Sequence, residues 1–196
     1  MFVLGLTGSI GMGKSTTAKM FADEGCEVWD ADAAVHRLYD VGGAAVPAIA
    51  NTFPDAVVQG AVSRSELKKI IAKDPKALKK IEMIVHPLVA EDRAQFLEQT
   101  QSDIAVLDIP LLFETGGDAQ MDAVVCVFVS DDIQRCRVLE RGTMTLAQFE
   151  GIKAKQMPAS EKITLADYVI ETDTLDHARE QVLAVVKDIR GKLPDA

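Results

Sequence analysis

A short stretch near the N-terminus, GSIGMGKS from Gly8 to Ser15, combines glycines, a lysine and a hydroxyl at a fixed spacing. It fits the pattern G-x-x-x-x-G-K-[ST] in full. Gly8, Gly11 and Gly13 allow the backbone to turn successive N–H groups inward, and the following helix adds its positive N-terminal end. Lys14 suits the β- and γ-phosphates, and the Ser15 hydroxyl suits Mg²⁺. The stretch predicts a site for a nucleoside triphosphate.

The residues on either side of this loop supply the structural context that such a site requires. The apolar run Phe2–Leu6 predicts a strand before it, and Lys14–Ala22 predicts a helix after it, ended by Gly25. Thr16 would lie in the first helical turn, near the α- and β-phosphates of a nucleotide. The residues expected to bind the nucleotide through this loop are Gly8, Gly11, Met12, Gly13, Lys14, Ser15 and Thr16.

Other features narrow the class of nucleotide-binding protein. A guanine-reading N-K-x-D element is absent, because the single asparagine, Asn51, is followed by Thr52. The apolar run IAVLD ends at Asp108, whose carboxylate suits the Mg²⁺ shell, but Ile109 stands where a hydrolytic ATPase would carry glutamate. Phosphoryl transfer to a small acceptor is the class that remains. It requires a group that orients or deprotonates the acceptor hydroxyl.

A second set of polar residues follows another predicted strand, in the segment WDADAAVH. In open α/β sheets, ligands bind at the carboxyl ends of the strands. One of the two aspartates, Asp30 or Asp32, can cap the next helix, and the other is then the candidate base. The pattern leaves this choice open. His36 lies four residues after Asp32 on the same helical face, either as a structural residue or as a ligand contact.

Two arginines could supply positive charge to the transferred phosphoryl group. Arg137 and Arg141 are four residues apart near the end of a predicted helix, Asp131–Arg141, and a further helix is predicted at Leu146–Gln156. A helical hairpin of this kind could cover the nucleotide as a lid. A solvated basic face that also contains Arg135 is the alternative, and the pattern does not separate the two.

Composition limits the remaining possibilities. The chain has 196 residues, of which 48% are hydrophobic, and its net charge is −9 with a pI near 4.8. We expect one globular unit that is not a general nucleic-acid binder, with no membrane segment and with a monomeric state favoured. Cys26, Cys126 and Cys136 have no metal-ligand spacing, and their odd number favours reduced thiols and a cytoplasmic location.

Short apolar runs alternate with helical segments along the chain. Such alternation predicts a parallel sheet covered by helices on both faces. A mostly helical insertion of about 70 residues separates the second and third strands and is too long for a simple crossover. Within it, Ser63 and Glu66 fit a helix-capping box, and His86-Pro87 is expected to break or kink a helix. The predicted strands are Phe2–Leu6, Cys26–Trp29, Ile104–Leu107, Val124–Val129 and Tyr168–Ile170.

Five segments occur in the order found in one known family. They are GLTGSIGMGKST, DADAAVH, IEMIVHPLV, LDIPLLFE and ADYVI, and together they resemble the dephospho-CoA kinase family. The resemblance implies an α/β fold: a P-loop NTPase-type parallel sheet flanked by helices, a helical CoA-side insertion and a helical lid. The corresponding ranges are about 1–31, 102–137 and 163–196 for the nucleotide-binding core, 32–101 for the acceptor subdomain and 138–162 for the lid.

The resemblance also implies an activity and roles for individual residues. The activity is transfer of the ATP γ-phosphate to the ribose 3′-hydroxyl of 3′-dephospho-CoA, the last step of CoA synthesis, with Mg²⁺. Asp32 corresponds to the candidate base, Lys14 and Arg141 stabilise charge, Arg137 contacts the nucleotide, and Ser15 and Asp108 hold the metal. The residues expected on the acceptor side are Asp32, His36, Arg64, His86, Leu111 and Leu112.

The chain departs from the family pattern at two places that concern ligand contacts. Ile152 stands where many members carry arginine, with Lys153 and Lys155 close by, and a lysine cannot copy a guanidinium fork. The segment ETDT replaces the usual Asn-Gly after the last strand, so the adenine contacts there are not carried over. Two alternatives stay open: another P-loop small-molecule or nucleoside kinase, and a nucleotide-dependent binding module without turnover.

Overall fold

Seven strands and nine α-helices alternate along residues 1–193, the part of the chain that the computed structural model describes. The strands are β1 Phe2–Thr7, β2 Glu27–Asp30, β3 Val57–Val58, β4 Ala61–Val62, β5 Ile104–Asp108, β6 Ala123–Phe128 and β7 Tyr168–Glu171. The helices are α1 Lys14–Asp23, α2 Ala31–Tyr39, α3 Val46–Thr52, α4 Arg64–Lys73, α5 Lys76–Gln99, α6 Asp131–Glu140, α7 Leu146–Lys153, α8 Ala159–Leu165 and α9 Leu175–Lys192. Two short 3₁₀ turns cover Pro54–Ala56 and Gly117–Gln120.

Five of the strands form one sheet in the order β2-β5-β1-β6-β7. β1 pairs in parallel with β5 and β6, and β6 pairs in parallel with β7. The inner strands are apolar up to their carboxyl ends, where β1 closes with Thr7 and β5 with Asp108, as burial on both faces of a parallel sheet requires. Leu4, Leu6 and Val125 are fully buried in its core, where Phe21 of α1 and Val182 of α9 pack. The predicted α/β fold with a helix-covered parallel sheet is confirmed.

The chain divides into two compact units. The first contains Met1–Trp29 and the chain from Thr100 onwards, and the second contains Asp30–Gln99. The second unit comprises α2–α5 and the β3–β4 hairpin, with a core of its own that includes Ile49 and Val85. An ion pair of 2.6 Å between Arg37 and Asp92 joins α2 to α5.

Local sequence signals explain most element boundaries. α1 ends where Gly25 adopts a φ of +83°, as the predicted glycine stop requires. The Ser63 hydroxyl accepts the Glu66 N–H at the start of α4, which forms half of the predicted capping box. β2 and β6 are each shifted by one residue from their predicted positions, and α7 ends at Lys153 rather than at Gln156.

The expected break at His86-Pro87 is wrong. α5 runs without interruption from Lys76 to Gln99, with Pro87 in its interior. Proline there removes one backbone hydrogen bond of the helix. Ile81 and Val85 before the proline are buried in the core of the second unit, and Leu88 and Val89 after it pack against the same core, which holds the helix across this position. None of the helices described between residues 1 and 193 combines the length and apolar character needed to cross a membrane.

Candidate active site

The phosphate loop connects β1 to α1 in a conformation that depends on two of its glycines. Gly13, the N-cap of α1, has a φ of +90°, in the left-handed region that side chains disfavour. Gly8 lies so close to β6 that a Cβ there would be 2.3 Å from Cγ2 of Val127. The predicted strand–loop–helix context is present, and larger residues at these positions would distort it.

The N-terminus of α1 is left available for an anion. Gly13 provides no side-chain cap, and no acidic residue occupies the first turn of α1. The positive end of the helix dipole is therefore not neutralised by a capping side chain or an acidic residue, and a phosphate binds favourably at such a helix start. Ser15 and Thr16 in this turn are exposed.

Lys14 meets Asp108 at the carboxyl edge of the sheet. The Lys14 ammonium contacts Oδ1 of Asp108, the last residue of β5, and the Asp108 side chain is 1% exposed. A buried carboxylate requires such a cationic partner. The sequence predicted a role for each residue separately, and the structure brings them together.

Two glutamines hold the tip of the phosphate loop at the peptide groups of Ile10. The Ile10 N–H donates to Oε1 of Gln156 over 3.1 Å, and the Ile10 carbonyl accepts from Nε2 of Gln134 over 2.7 Å. Gln134 is fully buried on α6, and within the described residues its Oε1 has no hydrogen-bond partner. Sequence reasoning missed both contacts, because they join segments more than 120 residues apart.

A cavity of about 390 Å³ opens beside the loop, between α1, α6 and the start of α9. Both predicted arginines, Arg137 and Arg141, line it together with Thr16. The Arg137 guanidinium donates to the Thr172 hydroxyl over 3.0 Å and to the carbonyls of Thr172 and Asp173. The lining residues are Gly13, Thr16, Thr17, Met20, Arg137, Glu140, Arg141, Thr172, Thr174, Leu175 and Ala178.

Thr172 is a further residue of this cavity that sequence reasoning missed. Its buried hydroxyl donates to the carbonyl of Met12 in the phosphate loop over 2.9 Å. Thr172 thereby links the loop to Arg137 through a single side chain. Its position directly after β7, at the carboxyl end of a strand, was the only local signal.

The start of α2 in the second unit shows which aspartate caps this helix. Oδ1 of Asp30 accepts the Ala33 N–H over 2.9 Å, so Asp30 is the N-cap. Asp32 lies in the first turn of α2 and is exposed. Among residues 1–193 its carboxylate has no hydrogen-bond or ion-pair partner. His36 is exposed in the last turn of the same helix.

The other residues predicted on the acceptor side differ in their surroundings. Arg64 begins α4, with its guanidinium carbon 5.9 Å from the centre of the Tyr39 ring, and His86 is exposed on α5. In the first unit, Leu111 is 42% exposed but Leu112 is fully buried. A methyl group of Leu112 packs against Gly5 of β1. Leu112 therefore packs in the core of the first unit, and its place on the acceptor side stays a prediction.

Comparison with known proteins places this geometry in a family. Residues 2–177 match the family model for dephospho-CoA kinase. A dephospho-CoA kinase from Ruegeria pomeroyi is 68% identical over 190 residues, covering 97% of this chain and 96% of the relative. A solved structure from Thermus thermophilus has a TM-score of 0.86 at 30% identity and covers 95% of this chain and 96% of the other. A dephospho-CoA kinase structure from Campylobacter jejuni has a TM-score of 0.71 at 22% identity, with 97% and 98% covered, and supports the fold. The chain belongs to the dephospho-CoA kinase family.

Proposed function

We propose that this chain transfers the γ-phosphate of ATP to the ribose 3′-hydroxyl of 3′-dephospho-CoA, which yields CoA and ADP. The observation that carries the proposal is the 68% identity to a dephospho-CoA kinase along nearly the whole of both chains. The complete phosphate loop and the paired Lys14 and Asp108 supply the machinery for handling a triphosphate. The chain is accordingly a kinase that uses ATP.

The residues around the loop fit a magnesium ion. The exposed hydroxyl of Ser15 and the carboxylate of Asp108 are oxygen ligands of the kind that Mg²⁺ prefers. We propose that these two residues hold the ion, directly or through water. When bound, Mg²⁺ neutralises part of the charge on the β- and γ-phosphates.

Phosphate binding is assigned to the loop and to the arginines. The loop from Gly8 to Thr16 holds the phosphate chain through those of its N–H groups that no bond within the protein occupies, and Lys14 contributes a mobile positive charge at its end. Arg137 is held by Thr172 and contacts the nucleotide in the cavity between α1, α6 and the start of α9. Arg141, at the C-terminal end of α6, stabilises the charge on the transferred phosphoryl group.

Asp32 is assigned the role of base. Because Asp30 already caps α2, the Asp32 carboxylate is available to accept or orient the proton of the 3′-hydroxyl. Phosphoryl transfer depends mainly on positioning and charge stabilisation, so orientation of the acceptor is the larger part of this role.

The remaining contacts are proposed for the acceptor and for the cover over the nucleotide. His36, Arg64 and His86 of the second unit are proposed to bind dephospho-CoA, with the exposed Arg64 guanidinium suited to a phosphate. Residues 138–162 are proposed as the lid. The three free thiols are compatible with a reducing compartment, and we propose a cytoplasmic monomer.

The proposal is tested by ADP release from Mg-ATP in the presence of different acceptors. We expect turnover with dephospho-CoA that exceeds turnover with adenosine or with no acceptor by at least about 100-fold. Equal turnover with adenosine would favour a nucleoside kinase. ATP binding without ADP release under any of these conditions would favour a binding module.

A further inference from the structure

Lys162 of α8 is a buried cation that the mechanism above does not use. Its side chain is 0% exposed. Among residues 1–193, Asp108 is the only other charged residue that is fully buried. Burying an ammonium group is unfavourable unless charged and hydrogen-bonding partners compensate for the lost water. The groups that compensate the Lys162 charge therefore indicate which part of the structure it holds in place.

Both partners lie in one segment, residues 108–114, which begins at the last residue of β5 and is called the post-β5 segment below. The Lys162 ammonium is 2.8 Å from Oε1 of Glu114, and it donates to the Pro110 carbonyl over 3.2 Å. Partial burial opposes ionisation of Glu114, but hydrogen bonds from Lys162 and from the Met157 N–H outweigh it and lower the pKa of the carboxyl group. Glu114 is therefore ionised at neutral pH and completes an ion pair.

The same contacts reach the phosphate loop. The Pro110 carbonyl also accepts the Thr7 hydroxyl over 3.1 Å, and Thr7 directly precedes the loop. Oε1 of Glu114 also accepts the Met157 N–H over 2.9 Å. The neighbouring residue, Gln156, accepts the Ile10 N–H at the loop tip. The Lys162 ammonium thus anchors a segment that is hydrogen-bonded to Thr7, just before the loop. Its carboxylate partner, Glu114, is hydrogen-bonded to Met157, next to the residue that holds the loop tip.

The position of the post-β5 segment matters for the transfer step. It begins with Asp108, which contacts Lys14, and it ends with Glu114, which contacts Lys162. The cavity that contains Arg137 is built from α1, α6 and the β7–α9 connection instead. A change at Lys162 should therefore disturb the surroundings of Asp108 and Lys14 while it leaves the cavity intact.

We infer that Lys162 is a positioning residue for phosphoryl transfer, which holds the post-β5 segment so that Asp108 and Lys14 keep the geometry that the reaction needs. This inference rests on the proposed function. A positioning role distinguishes Lys162 from residues whose ion pairs only stabilise the fold. A positioning residue affects kcat in the folded enzyme, whereas a stabilising residue affects the melting temperature alone.

The test compares Lys162→Met with Lys162→Arg and with a matched control. Arg190→Met removes the ion pair between Arg190 and Asp103, a residue that lies just before the opposite end of β5. The melting temperature, kcat and both KM values are measured for each variant well below its melting temperature. Equilibrium titration with Mg-ADP gives nucleotide affinity independently of turnover.

We expect Lys162→Met to lower kcat by about 10- to 100-fold, because a displacement of about 1 Å near the reacting groups can have that effect. Mg-ADP affinity should change by less than about threefold, and Lys162→Arg should recover most of kcat because it keeps the charge and the donors. Arg190→Met should lower the melting temperature at unchanged kcat.

Three results would overturn the inference. They are a folded Lys162→Met variant with wild-type kcat, a folded Lys162→Arg variant as slow as Lys162→Met, and a similar loss of kcat in Arg190→Met. If Lys162→Met does not fold, Glu114→Gln replaces it, since it keeps an oxygen for both donors but removes the charge, and wild-type kcat in that variant would equally contradict the inference. A wild-type chain that transfers no phosphate to dephospho-CoA would instead overturn the proposed function, and the inference with it.

Discussion

Asp30 and Asp32 are two residues apart and carry the same functional group, yet their positions give them different surroundings. Asp30 stands before the first turn of α2, where its carboxylate accepts the Ala33 N–H. Asp32 stands inside that turn and is exposed. A resemblance assigned the base to Asp32, and the cap geometry supports this assignment because it leaves the Asp32 carboxylate free.

Substitution of the two aspartates should separate catalysis from stability. Asp32→Asn should lower kcat by about 10²- to 10⁴-fold with little change in Mg-ADP affinity, because the amide cannot accept the proton. Asp30→Ala should lower the free energy of unfolding by about 1 kcal/mol through loss of the cap. Steady-state kinetics and urea denaturation measure the two effects. A folded Asp32→Asn variant with wild-type kcat would show that Asp32 is not the base.

Gly13 should tolerate no side chain, for reasons of backbone conformation and space. Its φ of +90° is unfavourable for alanine by about 1–2 kcal/mol, and the added Cβ would lie 3.0 Å from the Thr172 hydroxyl. Gly13→Ala should therefore destabilise the fold and weaken Mg-ADP binding, as measured by thermal melting and by titration.

Gly191 provides the matched control for this substitution. It lies within α9, and a Cβ there would meet no atom within 4 Å. Gly191→Ala should stabilise the chain by up to about 1 kcal/mol through helix propensity and leave nucleotide affinity unchanged. Equal effects of the two substitutions would contradict the conformational argument for Gly13.

Hydrophobic patterning reveals elements whose buried face is apolar, and it fails where that face is polar. The strands of the main sheet are found within a residue or two of their predicted positions, because their apolar runs are nearly continuous. α8 was not predicted, since the residue that it buries completely is Lys162. The opposite error occurred at Pro87, where a helix break was predicted but α5 is continuous, because tertiary packing outweighs the local cost of a proline.

The candidate site likewise contains some residues that the sequence predicts and others that it does not. Gly8 to Thr16 could be predicted from spacing alone, because one continuous segment forms the phosphate loop. Thr172, Gln134 and Gln156 could not be predicted, because each contacts the loop from a distant part of the chain. The local pattern left the choice between Asp30 and Asp32 open, since an aspartate at either position can cap a helix, and the structure shows that Asp30 is the cap.

The β7–α9 connection should have a pH-dependent stability. Nδ1 of His177 donates a hydrogen bond of 2.7 Å to Oδ1 of Asp173, which raises the pKa of His177 and lowers the pKa of Asp173. Since the folded pKa of the histidine is raised, its contribution is complete below its usual value near 6.5 and is lost as pH rises through the higher folded pKa. The contribution of Asp173 is present above its usual value near 3.9 and is lost as pH falls through the lower folded pKa.

An NMR titration of the His177 ring should therefore give a midpoint above 6.5. His177→Gln should remove the corresponding step in the pH dependence of the melting temperature, while Asp173→Asn should shift the His177 midpoint downward. A His177 midpoint that is unchanged in Asp173→Asn would show that the two side chains are not paired in solution.

At the scale of the whole molecule, an acidic chain must bind strongly anionic substrates. The net charge is −9, so long-range attraction does not favour ATP or dephospho-CoA. Local arrangements supply the positive potential instead: the N-terminus of α1, Lys14, and the arginines that line the cavity in the first unit. Family membership along residues 2–177 accounts for why this loop, Asp32 and the post-β5 segment occur in one chain.

The most direct test of the central claim is to identify the product that the purified chain forms from Mg-ATP and dephospho-CoA. Mass spectrometry measures whether the acceptor gains one phosphate, and the coupling of phosphorus to the ribose 3′ proton in NMR locates it. We expect a single product with the phosphate on the 3′-oxygen and one ADP formed for each product molecule. An acceptor recovered unchanged, or one that carries the phosphate at another position, would contradict the account.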